Sequence, residues 1–301
     1  MEQVRLDGKT IIVTGCNTGI GKPTAKELAK RGARVIMACR SKQRALAAKE
    51  DILKEAPDIS PDQLIFMKLD LSSLKAVRKF AENFNASEPR LDMLVNNAGL
   101  FLRERKTTKD GFEYHVGVNH LGGFLLTLLL LDKLKASAPA RIVNVSSDAH
   151  KRLGKIDFED FQIERNWSNM SKNGYGQSKT ANILFTVALA KRLKGTGVTT
   201  YALHPGAVDT DIFRSTTGCL ICCIDWIKCC CPCIFVKPAK GAETTLYCCL
   251  EPTIANDTGK YYSKKKEAQA ADYATDPEIA EQLWSVSEEL VGQRYAVTSG
   301  Y

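Results

Sequence analysis

Tyr175 and Lys179 lie four residues apart in the segment YGQSK. On a helix that spacing puts both side chains on one face. A tyrosine titrates near pKa ~10 and exchanges protons poorly at neutral pH, so a neighbouring ammonium that stabilises the tyrosinate is the simplest way to make it useful. The pair is therefore expected to give and take a proton, with Lys179 lowering the Tyr175 pKa. Taken alone, the same spacing fits a partly exposed helical pair, and its meaning depends on what the chain places beside it.

Near the other end, the apolar run Ile11, Ile12, Val13 leads into Thr14, Gly15, Cys16, Asn17, Thr18, Gly19, Ile20 and Gly21. The pattern reads as a strand, a glycine turn and a helix start. Gly15 can make the tight turn, Gly19 removes a side chain where a pyrophosphate must approach, and Gly21 lets helix and strand pack closely. Backbone N–H groups and the helix dipole then favour the anion. Pro23 suits the first turn of that helix, and TAKELAKRGARVIMACR continues as helix and then buried strand.

In these motifs the chain resembles the short-chain dehydrogenase/reductase family, and within it the retinol dehydrogenase-like branch, over almost its whole length. The family's glycine pattern is matched by Thr14, Gly15, Gly19, Ile20 and Gly21, with Asn17 and Thr18 between, and its fourth-strand motif by Asn96, Asn97, Ala98 and Gly99. Its active-site Asn is matched by Asn119 in VNHLGGFLL, its Ser by Ser147 after RIVNVS, and its Tyr and Lys by Tyr175 and Lys179. Its post-strand motif is matched by Pro205, Gly206, Val208 and Thr210 in HPGAVDT. MACRS, VNHLG, NILF, RLKGTGV and LYC resemble the retinol dehydrogenase branch more than the bacterial steroid or polyol members. Ser147 and Tyr175 are 28 positions apart, longer than in compact members, and the branch carries a similar insertion. Residues 148–174 are thus expected to form an extended substrate loop.

The resemblance implies a Rossmann-type doubly wound α/β fold with a parallel sheet of about seven strands and helices on both faces. The chain's own patterning agrees. Apolar segments at Ile11–Thr14, Val35–Cys39, Leu64–Lys68, Met93–Asn96, Arg141–Ser146, Thr199–His204 and Lys260–Ser263 read as seven strands separated by helical patterns. With 301 residues, 44% hydrophobic and 25% charged, the chain can bury a large core, and the motif order predicts one catalytic domain over 1–301. The net charge of +8 permits contact with anions, but the basic residues are dispersed and the one run, Lys264–Lys266, reads as a solvated loop. No nucleic-acid partner is expected. The four histidines, His115, His120, His150 and His204, form no metal pattern and are expected to be structural, His150 being the least settled.

Eleven cysteines are present, seven of them between Cys219 and Cys233. The first residues run straight into the first strand, so neither a signal peptide nor the N-terminal anchor of many retinol dehydrogenases is expected, and disulfides are not the default. Phe124–Leu131 is too short to span a bilayer and reads as a core helix. The spacing of Cys219, Cys222, Cys230 and Cys233 suits a zinc site in principle, but the surrounding Leu220, Ile221, Trp226, Ile227 and Phe235 suit an apolar surface better, and no metal is assigned. The resemblance puts 211–240 at the family's lid over the substrate. Such a lid either touches a membrane, with acylated cysteines, or is buried over the substrate. Both readings imply a small lipophilic alcohol or aldehyde as substrate. The expected location is cytoplasmic, with peripheral contact at the cytoplasmic face of the endoplasmic reticulum or another membrane left open, as is a homodimer.

Cofactor choice is legible at the end of the second strand. NAD-preferring members place an acid there, whereas this chain has Cys39 followed by Arg40 and Ser41. Arg40 can make charge-assisted hydrogen bonds to a 2′-phosphate, with Lys42 or Arg44 as helpers. NADP(H) is therefore the expected cofactor, and Asp70 and Leu71, after the third strand, resemble the family's adenine contact. By resemblance, Tyr175 donates a proton to the developing alkoxide, Ser147 hydrogen-bonds the same oxygen, Lys179 grips the nicotinamide ribose, and Asn119 holds a water in a relay to Lys179. The expected reaction interconverts a lipophilic alcohol and its carbonyl, retinol and retinal first. A carbonyl reductase for lipid-derived aldehydes and a non-catalytic NADP-binding scaffold or redox sensor are the alternatives.

Overall fold

The computed structural model describes residues 4–165, 167, 174–208 and 236–295. Eight strands form one sheet: β1 (Thr10–Thr14), β2 (Arg34–Cys39), β3 (Leu64–Lys68), β4 (Met93–Asn96), β5 (Ala140–Val145), β6 (Val198–His204), β7 (Lys260–Ser263) and β8 (Lys266–Glu267). Their order is β3-β2-β1-β4-β5-β6-β7-β8. The first seven are parallel and β8 is antiparallel to β7. The expected strands are all present to within a residue at each end. The eighth was not expected. The lysine run read as a loop is instead a hairpin turn, with Lys264 and Lys265 at φ 53° and 60° and Lys266 already in β8.

Strands covered on both faces are apolar at every position, and β1 is buried throughout. Successive side chains serve opposite layers. Ile12, Ile36, Leu94 and Ile142 enter one core, and Ile11, Val13, Val35, Met37, Val95 and Val143 enter the other. The first core is closed by α3 (Leu74–Ser87), α4 (Gly122–Ala136), α6 (Gly174–Arg192) and α9 (Pro277–Val291). The second is closed by α1 (Gly21–Lys30), α2 (Lys42–Glu55) and α7 (Pro238–Leu250). Two short helices, α5 (Ala149–Leu153) and α8 (Asp272–Thr275), complete the described elements.

The apolar run at Phe124–Leu131 belongs to a longer helical stretch than its length suggests. A π-type turn, Val116–Leu121, continues into α4, and the 21 residues Val116–Ala136 are long and apolar enough to cross a membrane. Here 72% of that apolar window is buried inside the protein, as a core helix. Phe124, Phe185 and Trp284 pack ring against ring where α4, α6 and α9 meet.

The chain moves outward from β1 to β3 and then returns to β4 on the other side of β1. That reversal opens a crevice at the C-terminal ends of the strands, where doubly wound sheets hold ligands. The glycine turn follows β1, Asn97–Gly99 follow β4, Ser147 follows β5 and Pro205–Val208 follow β6, so the motifs converge by topology alone.

Candidate active site

A cleft of about 990 Å³ runs along this edge, from Arg40 at one end to Ser147, Tyr175 and Lys179 at the other. Asn17, Thr18, Gly19 and Ile20 form its glycine-rich side, and Gly15 and Gly19 adopt φ of 66° and 56°. Gly21 lies beneath the cleft, where an added Cβ would stand 2.5 Å from Asn97 Nδ2 and 2.8 Å from Cys16 Cα. Close packing of helix on strand is thus the reason for its glycine. Thr14 also faces the protein. Its hydroxyl accepts from the Asn97 and Ala98 N–H groups at 3.0 and 2.9 Å, and its carbonyl accepts from Asn97 Nδ2 at 2.7 Å. Thr14 therefore ties the β4 turn to β1, and Asn97, Ala98 and Gly99 reach the cleft as a consequence.

At the other end, Tyr175 opens α6 and Lys179 follows one turn later. The Tyr175 hydroxyl is hydrogen-bonded to Ser147, and its ring meets Phe101 edge-on with centroids 5.5 Å apart. Lys179 is 3% exposed. Its Nζ lies 5.6 Å from the Tyr175 ring centroid and donates to Val145 O at 3.1 Å. Burial pushes the Lys179 pKa down to about 8. Burial also raises the Tyr175 pKa, and the Ser147 hydrogen bond only partly offsets it. The expected lowering by Lys179 is therefore not the governing effect: the ammonium faces the ring and the Val145 carbonyl, and desolvation of the phenol outweighs it. A Cβ on Gly99 would stand 3.1 Å from Lys179 Nζ, so the glycine leaves the lysine head accessible from the cleft.

Asn119 sits in the π-type turn, outside the cleft wall. Its Nδ2 donates to Leu100 O at 3.0 Å and Ser178 Oγ at 3.1 Å, and its Oδ1 accepts from Leu100 N at 2.9 Å. Its amide clamps the loop after β4 to the helix that carries Tyr175. Ser147 is backed by His150, whose Nδ1–H donates to Ser147 O at 2.6 Å while Nε2 accepts from Ala271 N at 3.2 Å. Burial lowers the His150 pKa, which suits this neutral, two-ended role. His204 accepts from Asp148 N at 3.2 Å and also lines the cleft. His120, buried against Ser287, is pushed down to about 4 by desolvation.

The Arg40 end is cationic. Arg40, Arg44 and Lys106 line it, and Arg40 donates to the Tyr114 hydroxyl at 3.3 Å. Ser41 caps α2, its hydroxyl accepting from Arg44 N at 3.4 Å. Asp70 and Leu71 lie beside them, Asp70 being the one carboxylate among the described cleft-lining residues. Burial opposes its ionisation, yet Lys109 at 2.9 Å and hydrogen bonds from Ser72 hold its carboxyl below the usual range. Pro205, Gly206 and Val208 form the remaining wall. Thr210 and the cysteine-rich segment lie outside the described residues.

Several contributors carry no motif. Lys106 and Tyr114 come from the connection between β4 and α4, joined by the Tyr114 N to Lys106 O bond at 3.0 Å. The same connection supplies a fully buried pair, Glu113 and His115, 2.7 Å apart. His115 Nε2 accepts from Leu102 N at 2.8 Å, so its proton is on Nδ1, facing Glu113 Oε1. Glu113 Oε2 accepts from Val116 N at 2.8 Å, and the carboxylate lies against Gly174, the residue before Tyr175. A carboxylate at the start of α6 is favoured by the helix dipole. Only the acid-x-His spacing hints at this pair in the sequence, and that signal is too common to stand alone.

Residues 9–156 match the short chain dehydrogenase family. The chain is 49% identical over 293 residues to retinol dehydrogenase 12 of Homo sapiens, covering 97% of this chain and 89% of that protein. Among solved structures, an uncharacterised protein from Mycobacterium Paratuberculosis aligns at TM-score 0.77 and 32% identity, over 98% of this chain and 97% of its own. A 3-ketoacyl-(acyl-carrier-protein) reductase from Brucella melitensis, complexed with NADH, aligns at TM-score 0.64 and 25% identity, over 85% and 96%. The switch-point cleft, the ordered motifs and this degree of identity agree: the chain belongs to the short-chain dehydrogenase/reductase family, whose members are nicotinamide-dependent oxidoreductases.

Proposed function

We propose that this protein is an NADP(H)-dependent oxidoreductase interconverting a lipophilic alcohol and its carbonyl, with retinol and retinal the leading pair. The observation that carries the reading is one cleft with a Tyr175 hydroxyl bonded to Ser147 at one end and Arg40, Arg44 and Lys106 at the other. Its length, its glycine-rich side and the access left at Gly99 fit a dinucleotide. When bound, that group supplies or accepts the hydride. Tyr175 is placed to give its proton to the substrate oxygen, and Ser147 donates a hydrogen bond to the same atom. Lys179 lends positive charge beneath them, and Asn119 keeps the Leu100 wall and α6 in register. Three cations and a single neutralised carboxylate favour a 2′-phosphate over a bare ribose diol.

Leu100, Leu102, Val118 and Ala149 give the cleft apolar lining, which suits a lipophilic carbonyl. Val208, which lines the cleft, pairs with Val236 as a parallel bridge. In this reading 211–240 is the substrate lid and 148–174 the substrate loop of one catalytic domain. An apolar, cysteine-rich lid would give such an enzyme peripheral contact with a membrane from its cytoplasmic side. The test is cofactor consumption by purified protein with retinal, medium-chain aldehydes and steroids, each with NADPH and NADH. Turnover of retinal with NADPH is expected. Faster turnover of medium-chain aldehydes would favour the general carbonyl reductase, and no turnover of any carbonyl would overturn the enzymatic reading.

A further inference from the structure

Cys16 and Cys39 stand at the ends of adjacent parallel strands, Cys16 just past β1 in the glycine turn and Cys39 as the last residue of β2. Their sulfurs are 3.8 Å apart, and both side chains are buried. A disulfide bond measures about 2.05 Å, so closing the pair requires a shift of about 2 Å shared between two side chains and a turn. The two thiols are not equivalent. Cys39 lines the cleft and Cys16 does not. The Cys16 thiol and the backbone N–H groups of Cys16 and Asn17 face the Cys39 sulfur, and together they lower its pKa against the opposing effect of burial. Such a concave set of N–H groups stabilises an anion, and thiolate character is what makes a cysteine reactive. Cys16, hydrogen-bonded to Cys39 and desolvated, is raised instead. The other buried thiols described, Cys248 and Cys249, are both pushed up by burial and neither reaches the cleft.

We propose that Cys16 and Cys39 form a hydroperoxide-reactive dithiol at the Arg40 end of the cleft. The Cys39 thiolate attacks the O–O bond of the hydroperoxide, becoming a sulfenic acid and releasing the alcohol after protonation of the leaving alkoxide. The Cys16 sulfur then attacks the Cys39 sulfur, and its proton leaves with the displaced hydroxide as water. The thiols lose two electrons and two protons, and the hydroperoxide is reduced to alcohol and water. The resulting bond pins the first turn of the glycine loop to the residue before Arg40. A dinucleotide in the cleft covers Cys39 and opposes the reaction; this coupling rests on the NADP(H) reading, whereas the disulfide itself does not.

Reduced full-length protein is treated with tert-butyl hydroperoxide, alkylated and cut with trypsin, which places Cys16 in the peptide Thr10–Lys26 and Cys39 in Val35–Arg40. The two peptides are expected as one linked species, two hydrogens lighter than their sum. Oxidised protein should bind NADPH at least about tenfold more weakly until treated with dithiothreitol, and saturating NADPH should slow the linkage by about tenfold or more. In Cys16→Ser, Cys39 should be trapped by dimedone as the unresolved sulfenic acid. Should that variant fail to fold, the wild-type peptide map decides alone. Both peptides alkylated and unlinked, while the cysteines of 219–233 oxidise, would overturn the proposal. Linkage at the same rate with and without NADPH would overturn the coupling. Reduced protein that binds no NADPH yet forms the link would sink the cofactor reading and leave the dithiol standing.

Discussion

Replacing Lys179 by Met should stabilise the cofactor-free protein while abolishing its turnover. Burial takes the Lys179 pKa from 10.5 down to about 8. At roughly 1.4 kcal/mol per unit, the folded state carries on the order of 3 kcal/mol of penalty for keeping this ammonium charged. Its Nζ donates to Val145 O at 3.1 Å, but Asn182 Nδ2 donates to the same oxygen at 3.1 Å. Removing the ammonium therefore leaves no orphaned carbonyl. Imperfect packing of the thioether offsets part of the gain, leaving a net stabilisation of about 1–3 kcal/mol and a rise in Tm of roughly 2–6 °C. The pH dependence gives the sign. Between about pH 8 and 10.5 the unfolded lysine binds a proton that the folded one has released, so wild-type stability gains from this group as pH rises through that window. The variant's advantage should be complete at about pH 7, shrink above pH 8 and vanish near pH 10.5. Urea unfolding of both proteins at about pH 7 and pH 9.5, with cofactor omitted, reads it directly. A variant less stable than wild type at pH 7, or an advantage that does not shrink at pH 9.5, would refute the argument that desolvation dominates at Lys179.

Tyr175→Phe should lower turnover about a hundredfold or more while NADPH affinity stays near wild type; near-normal turnover would remove Tyr175 from the mechanism. Arg40→Ala should weaken NADPH more than NADH by about 1–3 kcal/mol, and equal weakening by calorimetry would sink its assignment to the 2′-phosphate. Glu113→Ala, which strips partners from the buried His115 Nδ1–H and Val116 N–H, should cost about 2–4 kcal/mol of stability and reduce kcat more than NADPH affinity. A change below about 0.5 kcal/mol would mean the pair holds nothing. Serine at all seven cysteines from Cys219 to Cys233 should reduce activity on retinal in liposomes more than on a water-soluble aldehyde. Unchanged liposome binding and kinetics would end the membrane-touching reading of the lid.

The strands were legible because a sheet covered on both faces demands apolar residues at consecutive positions, and runs such as TIIVT and RVIMAC meet that demand without ambiguity. The β7–β8 hairpin was not. Hairpin turns with two positive-φ residues ordinarily advertise themselves through Asn or Gly, whereas Lys264 and Lys265 adopt that conformation here. Lys260 and Glu267 bridge the two strands at 2.8 Å, and Lys265 reaches Glu243 at 3.0 Å. Those partners are brought together by the tertiary fold, so the lysine run looks like solvated loop until the neighbouring elements are in place. The helical stretch around Phe124 was legible as a core helix from its short apolar run, and the packing of α3, α6 and α9 agrees, although the longer stretch Val116–Ala136 satisfies the length and composition of a membrane span.

Site residues divide by the kind of information that specifies them. Gly15, Gly19, Gly21, Ser147, Tyr175 and Lys179 follow from strand ends and helical spacing, and they lie along or beneath the cleft. Charge state is different, because it depends on desolvation, which spacing along a helix does not encode. The four-residue step between Tyr175 and Lys179 predicts a cation beside a phenol and hence a lowered pKa. Once α6 is packed against β5, both groups lose water, and the phenol rises while the ammonium falls. The consequence reaches the chemistry. A phenol whose pKa is raised stays neutral at pH 7 but is a weaker acid, so its placement against Ser147, and not an acidified hydroxyl, is what recommends Tyr175 as the proton donor to a substrate oxygen.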